Sequence, residues 1–389
     1  MAAISSSKLK TKRQAPTFYD RWLLFTVFSL FVIGLVMVAS ASIVVAEKQF
    51  NQPFYFLTRQ LIFLMIGFVA AFVVIRFELD LWRKYSGWLL ILSYILLILV
   101  LVPGIGRVIN GSMRWLGVGL FGIQVSELAK FFCIIYLAGY LVRKQEEVQT
   151  RVIGFIKPMV LIGLIALLLL KEPDFGAATV IITTALGMMF LAGVRLWQFA
   201  ILLGSAVFSL AVLAISSPYR MARLTSFLNP WADQYDSGYQ LTQSLIAFGR
   251  GGWTGMGLGA SIQKLFYLPE AHTDFLFAVL AEELGLLGVF AVLALFALFI
   301  ARIFILAKRA WQQQRPFAAF IAFGFGLWLA FQSMINIGVN TGILPTKGLT
   351  LPMMSYGGSS MIVMCLVIAL LFRIDYETRL VALREYRSK

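Results

Sequence analysis

The chain has 389 residues, 60% of them hydrophobic, with a mean hydropathy of +0.86. That excludes an ordinary soluble domain, in which roughly 45–50% of residues are apolar. The formal charge of +15 does not call for a nucleic-acid partner, because basic residues gather on the cytoplasmic side of membrane spans. The expected fold is an all-α polytopic membrane protein embedded in lipid as a single domain. Cys133 and Cys365 both lie inside apolar runs and read as buried thiols.

A helix needs about 20 apolar residues to cross a bilayer, and about ten runs qualify. They are 22–45, 54–75, 85–102, 125–142, 158–170, 175–192, 197–215, 275–300, 317–338 and 353–372. The run at 158–170 is short, and a tilt or an extension through Lys157 would complete it. Most Lys and Arg fall in alternate connections, including Arg76, Arg83, Arg143, Lys144, Arg195, Arg302, Arg309, Arg315, Arg373 and Arg379. The positive-inside rule then puts the tails 1–21 and 373–389 in the cytoplasm and the long connection 216–274 outside. Ala39-Ser40-Ala41 resembles a cleavage site, but the apolar run before it is longer than a signal-peptide core, which favours an uncleaved anchor.

The outer connection 104–124 carries Arg107, Ser112, Arg114 and Trp115. Basic residues there run against the positive-inside bias and suit an anionic headgroup, although Trp and Arg also serve as plain interfacial anchors. Asn110-Gly111 reads as a turn. At the start of the fourth run Glu127 and Lys130 are three apart, so they can pair along one helix; alternatively Lys130 supplies charge to an outward cavity. In Glu172-Pro173-Asp174 the proline forces a break, and Asp174 suits the N-cap of the next helix.

The long outer connection reads as two short amphipathic helices lying in the headgroup plane. One starts at Ser217-Pro218 and carries Arg220 and Arg223; the other lies over 237–250 with Leu241, Leu245 and Phe248 on one face. Between them Asn229-Pro230-Trp231 is a turn. Gly255-Met256-Gly257-Leu258-Gly259 lacks the strand and spacing of a dinucleotide site, so backbone flexibility is its expected purpose. Asp274 then stands at the mouth of an apolar run, where a charge is costly unless it has a function. Glu282 follows on the same helix, roughly 12 Å deeper, too far to share a proton with it. His272 is the single histidine and reads more readily as a surface residue than as a relay. Ser355 through Ser360 offers hydroxyls and N–H groups at a helix start, for phosphate or for a packed turn.

Taken jointly, Gly111-Ser112-Met113-Arg114-Trp115, Gln124 through Lys130, Glu172 through Gly176, Tyr267 through Asp274, Glu282 through Gly285 and Ser355 through Ser360 resemble the shape, elongation, division and sporulation (SEDS) family of bacterial peptidoglycan glycosyltransferases. The resemblance runs nearly the full length, and Pro345 through Pro352 is similar to the division branch rather than the elongation branch. Phe175 replaces the leucine usual in the family's Pro-Asp-Leu-Gly, a conservative departure.

The resemblance implies an enzyme of the bacterial inner membrane that polymerises lipid II at the division septum. It would extend a growing glycan chain beside the class B penicillin-binding transpeptidase FtsI and other divisome membrane proteins. Asp274 is the implied catalytic base, and Lys130, Arg114 and Asp174 support it. Arg220, Glu282, Ser355 and Ser359 complete the candidate substrate-binding set. The family allows a divalent cation, magnesium or manganese, but the sequence holds no cage of hard ligands to demonstrate one. The rival functions are an elongation-type polymerase, a lipid II flippase and a non-catalytic division scaffold.

Overall fold

The computed structural model describes residues 19–109, 112–118, 121–215, 227, 229–236, 238–346 and 348–387. Each expected span is a helix: α1 (Arg21–Phe50), α2 (Tyr55–Val74), α3 (Leu79–Leu101), α4 (Val125–Arg143), α6 (Val152–Lys171), α7 (Phe175–Leu191), α8 (Leu196–Ile215), α10 (Leu276–Gln312), α11 (Pro316–Asn340) and α12 (Gly358–Arg387). Eight of them are long and apolar enough to cross a membrane; α7, with 17 residues, is shorter. Two non-spanning helices, α5 (Gln145–Thr150) and α9 (Tyr239–Gly251), complete the set among the described residues.

Local chemistry sets the ends. Asp20 caps α1 by accepting from the backbone N–H of Trp22 and Leu23, and Asn51 closes the helix in the left-handed region at φ 53°. Asp174 caps α7 through the N–H of Ala177, as its position suggested. Helix α6 starts at Val152 rather than at residue 158, with Pro158 inside it. Proline removes the N–H that would bond the Gly154 carbonyl, and the Tyr140 hydroxyl takes its place at 2.9 Å.

Helices α4, α11 and α12 are buried over most of their length and form the inner layer, whereas α2 and α3 expose most of theirs. Packing runs α3–α4–α11–α10–α1 on one side, with α7 against α4 and α11 and α2 against α12. On the side of both helical termini, Asp20 pairs with Arg302, Arg309 and Arg379, while Glu377 pairs with Arg315 and Arg373. These pairs tie α1, α10, α11 and α12 into one face.

Three findings differ from the sequence-based expectations. The connection 104–124 is an antiparallel sheet of β1 (Gly106–Ile109), β2 (Ser112–Val118) and β3 (Phe121–Gln124) in the order β1-β2-β3. Its short strands carry no long alternating pattern, so length alone hid them. Helix α12 starts at Gly358, after turns over 352–355, and not at residue 353. Helix α9 is amphipathic as expected, yet Leu241, Ser244 and Ala247 are buried and the helix packs on α10 and α11, so protein covers its apolar face. The first expected amphipathic helix, from Ser217 with Met221, Leu224 and Leu228 on one face, lies outside the described residues except for Phe227.

Helix α10 is interrupted at Gly285, whose φ of 65° and ψ of −169° leave helical space. The carbonyls of Glu282 and Glu283 accept from the N–H of Met256 and Gly257, and the N–H of Leu286 and Leu287 reach the carbonyls of Gly252 and Trp253. A broken helix within a membrane span requires such replacement partners. Gly255 and Gly257 take positive φ to supply them, which gives the glycine-rich stretch a defined backbone role.

Candidate active site around Asp274

Asp274 lies just before the first turn of α10, and no side-chain hydrogen bond or ion pair engages its carboxylate among the described residues. The segment after α11 covers it so closely that a Cβ at residue 348 would come within 2.8 Å of Asp274 Oδ2. Burial and the charges of Glu270 and Asp174 push its pKa up to about 7, against the pull of Arg114.

Arg114 is aimed by β2. Its Nε donates to the Glu172 carbonyl at 3.1 Å and its Nη2 to the Pro173 carbonyl at 2.7 Å, which fixes the guanidinium beside the α6–α7 turn. Asp174 uses Oδ1 for capping, and its Oδ2 is buried with no partner. The structure thus brings Asp274, Arg114 and Asp174 within electrostatic reach of one another.

Glu172 joins them, although sequence reasoning gave it no role. It is fully buried with both oxygens unpartnered, and burial together with the charge of Asp174 raises its pKa to about 8.

Lys130 lies elsewhere. It is buried, donates to Glu127 Oε1 and to Gln332 Oε1 at 2.8 Å each, and sits 4.9 Å from the Trp328 ring centroid. Pairing within α4 is therefore realised, and Lys130 is not among the charges acting on Asp274. Glu282 is also internal: Arg250, Ser261 and the N–H groups of Ile262 and Gln263 take its two oxygens. Ser355 Oγ accepts from Leu351 N, while Ser359 Oγ accepts from Gln124 N and donates to the Gly122 carbonyl. Those serines lock turns. Arg220 lies outside the described residues.

His272 packs against Phe56 and Tyr356 with ring centroids 4.5 and 5.6 Å away, and burial holds its imidazole below the ordinary value. Gln332, Asn336 and Asn340 were missed by the sequence reading. Their four-residue spacing inside an apolar run was the available signal. No group of three or more His, Cys, Asp or Glu among the described residues is placed to hold a metal ion.

A bundle with eight helices long and apolar enough to cross a membrane, a small sheet, and a carboxylate at a helix mouth with no side-chain partner among the described residues define a polytopic membrane protein with a polar site beside a fixed arginine. The FtsW/RodA/SpoVE family of cell cycle proteins matches residues 21–380, and the chain belongs to it. A Legionella pneumophila relative named probable peptidoglycan glycosyltransferase FtsW is 57% identical over 361 residues, covering 93% of this chain and 92% of that protein. A Coxiella burnetii protein of the same name is 57% identical, covering 92% and 97%.

Among solved structures, one titled for the coordination of polymerization and crosslinking by a peptidoglycan synthase complex is similar at TM-score 0.76 and 30% identity, covering 92% of this chain and 98% of that one. The Thermus thermophilus rod shape determining protein RodA is similar at TM-score 0.68 and 29% identity, covering 92% and 96%.

Proposed function

We propose that this peptidoglycan glycosyltransferase uses Asp274 as the general base of an inverting transfer. The carboxylate takes the proton from the C4 hydroxyl of the N-acetylglucosamine of incoming lipid II. The freed oxygen bonds to the anomeric carbon of the growing chain, and the bond to undecaprenyl pyrophosphate breaks with its electron pair leaving on the pyrophosphate. Attack opposite the leaving group inverts the centre without a covalent enzyme intermediate.

One observation carries this reading: a carboxylate at a helix mouth, without a side-chain partner among the described residues, whose pKa is pushed up to about 7, near the optimum for a base at neutral pH. Arg114, held by two backbone carbonyls, is a fixed cation for the charge that develops on the pyrophosphate. The face with Asp20, Arg302, Arg309, Arg315, Arg373 and Arg379 collects basic residues, which supports a cytoplasmic assignment for both termini and an outer location for Asp274. The septum and a class B transpeptidase such as FtsI are the corresponding place and partner. The 57% identity to relatives named FtsW, against 29% to RodA, favours the division branch over the elongation branch.

The test is glycan polymerisation from lipid II by the purified chain with its cognate transpeptidase, itself silent in glycosyl transfer, comparing wild type with Asp274→Asn. Polymer from wild type alone is the expected result. Polymer from both moves the base elsewhere, and persistent silence from both, with lipid II crossing the bilayer, favours the flippase.

A further inference from the structure

Helix α11 presents three amides to the site at four-residue spacing. Asn340 Oδ1 accepts from the N–H of Ala278 at 3.1 Å, in the first turn of α10. The residue at the α10 N-cap position is Phe275, which supplies no capping side chain. Asn340 therefore caps α10 from a neighbouring helix. Its Nδ2 donates to the Asp274 carbonyl at 3.0 Å, and Asn336 Nδ2 donates to the same carbonyl at 2.8 Å and to the Leu349 carbonyl at 2.5 Å. Gln332 continues the series, donating from Nε2 to the Thr350 carbonyl at 3.0 Å. Its Oε1 accepts from Lys130 Nζ at 2.8 Å and from Trp328 Nε1 at 2.7 Å. Both of those partners can only donate, so the amide orientation is determined.

An aspartate just before a helix ordinarily turns its carboxylate onto the first-turn N–H groups, as Asp174 does for α7. At α10 that duty is filled by Asn340, and the Asp274 oxygens have no side-chain partner among the described residues. The segment 348–350 that covers the carboxylate is held by Asn336 and Gln332, members of the same stripe. Lys130 meets this stripe at Gln332 and is itself buried.

We propose that Gln332, Asn336 and Asn340 are positioning residues that keep Asp274 uncapped and available as a base, and that Lys130 acts on the reaction through Gln332. The inference rests on Asp274 being the base. Removing the Asn340 amide lets Asp274 swing onto the α10 N-terminus, where N–H bonds and the helix dipole stabilise its charge. In the full chain with its transpeptidase, Asn340→Ala is expected to lower kcat by about 10²-fold at unchanged KM for lipid II. The acidic limb of its pH profile should move to lower pH. A merely structural asparagine would reduce the yield of folded protein and leave the limb in place.

A wild-type limb in Asn340→Ala, with Asp274→Asn inactive beside it, overturns the positioning role. Activity in Asp274→Asn instead overturns the base assignment on which it rests. If Asn340→Ala does not fold, Asn336→Ala is measured: it keeps the cap and loses one donor to the Asp274 carbonyl, so kcat should fall with KM unchanged, and an unchanged kcat sinks the proposal. For Lys130, the double variant Lys130→Met with Gln332→Leu should be no slower than the worse single variant. Losses that multiply would show that Lys130 acts independently of Gln332.

Discussion

Three carboxylates stand just before or within the first part of helix α10, and they have opposite fates. Glu282 and Glu283 are fully buried, but Glu282 is met by Arg250, Ser261 and two backbone N–H groups, and Glu283 by Lys264 and Ser40. Asp274 has no such partner among the described residues and stands near two further acids. Paired carboxylates hold the broken helix to the loop 252–264 and to α1. The unpaired one is kept at a cost, and an ionisable group kept that way at a membrane boundary is where chemistry is expected.

Asp274→Asn gives the largest expected effect on activity, a loss of at least about 10²–10⁴-fold in polymerisation. Its effect on stability should have the other sign. Burial raises the folded-state pKa from 3.8 to about 7, so the folded state holds this proton more tightly than the unfolded chain does. The resulting penalty is absent below pH 3.8, grows up to about pH 7 and is constant above it. Thermal unfolding should show the variant gaining on wild type between pH 4 and pH 7. A destabilised variant would place Asp274 with the fold anchors and erase the contrast.

Breaking the other half of the comparison should do the reverse. Lys264→Met strands the Glu283 carboxylate, and loss of one partner from a buried pair costs about 3–5 kcal/mol. Pairing it with Glu283→Gln should return much of that stability, and melting curves of the single and double variants measure it. Smaller still is Arg114→Ala, with roughly tenfold slower polymerisation from lost charge stabilisation. Arg114 lowers the Asp274 pKa, so its removal moves the acidic limb to higher pH, opposite to the shift expected for Asn340→Ala.

How much of this was legible beforehand depended on the kind of signal. The ten long helices followed from long apolar runs, eight of them long and apolar enough to cross a membrane, and α9 followed from its period. Asp274 and Asp174 could be noticed because a charge beside an apolar run or a proline stands out within a few residues. What stayed hidden was pairing across the fold. Glu282 and Lys130 look as exposed to function as Asp274 does until Arg250, Ser261, Gln332 and Glu127 are seen to occupy them. The sheet 106–124 escaped because its strands are short and its hydrogen bonds join separate segments.

Glu172 sharpens the rule by being unpaired for a different reason. With both oxygens buried and its pKa raised to about 8, it is mostly protonated near pH 7 and contributes no charge there. Glutamine has the same shape and the same neutrality, so Glu172→Gln should polymerise lipid II near the wild-type rate at pH 7. The stability difference again has a definite sign: wild type loses stability as pH rises from 4.5 towards 8, because the unfolded chain ionises this acid while the fold keeps it protonated, and the glutamine variant escapes that loss. Rates at pH 7 and melting temperatures at pH 6 and pH 9 distinguish the outcomes. A folded Glu172→Gln protein without activity would mean that this carboxyl exchanges its proton during turnover. Asp274 would then be one of two working acids beside Arg114, and lack of a partner, rather than charge at neutral pH, would mark the groups that do chemistry.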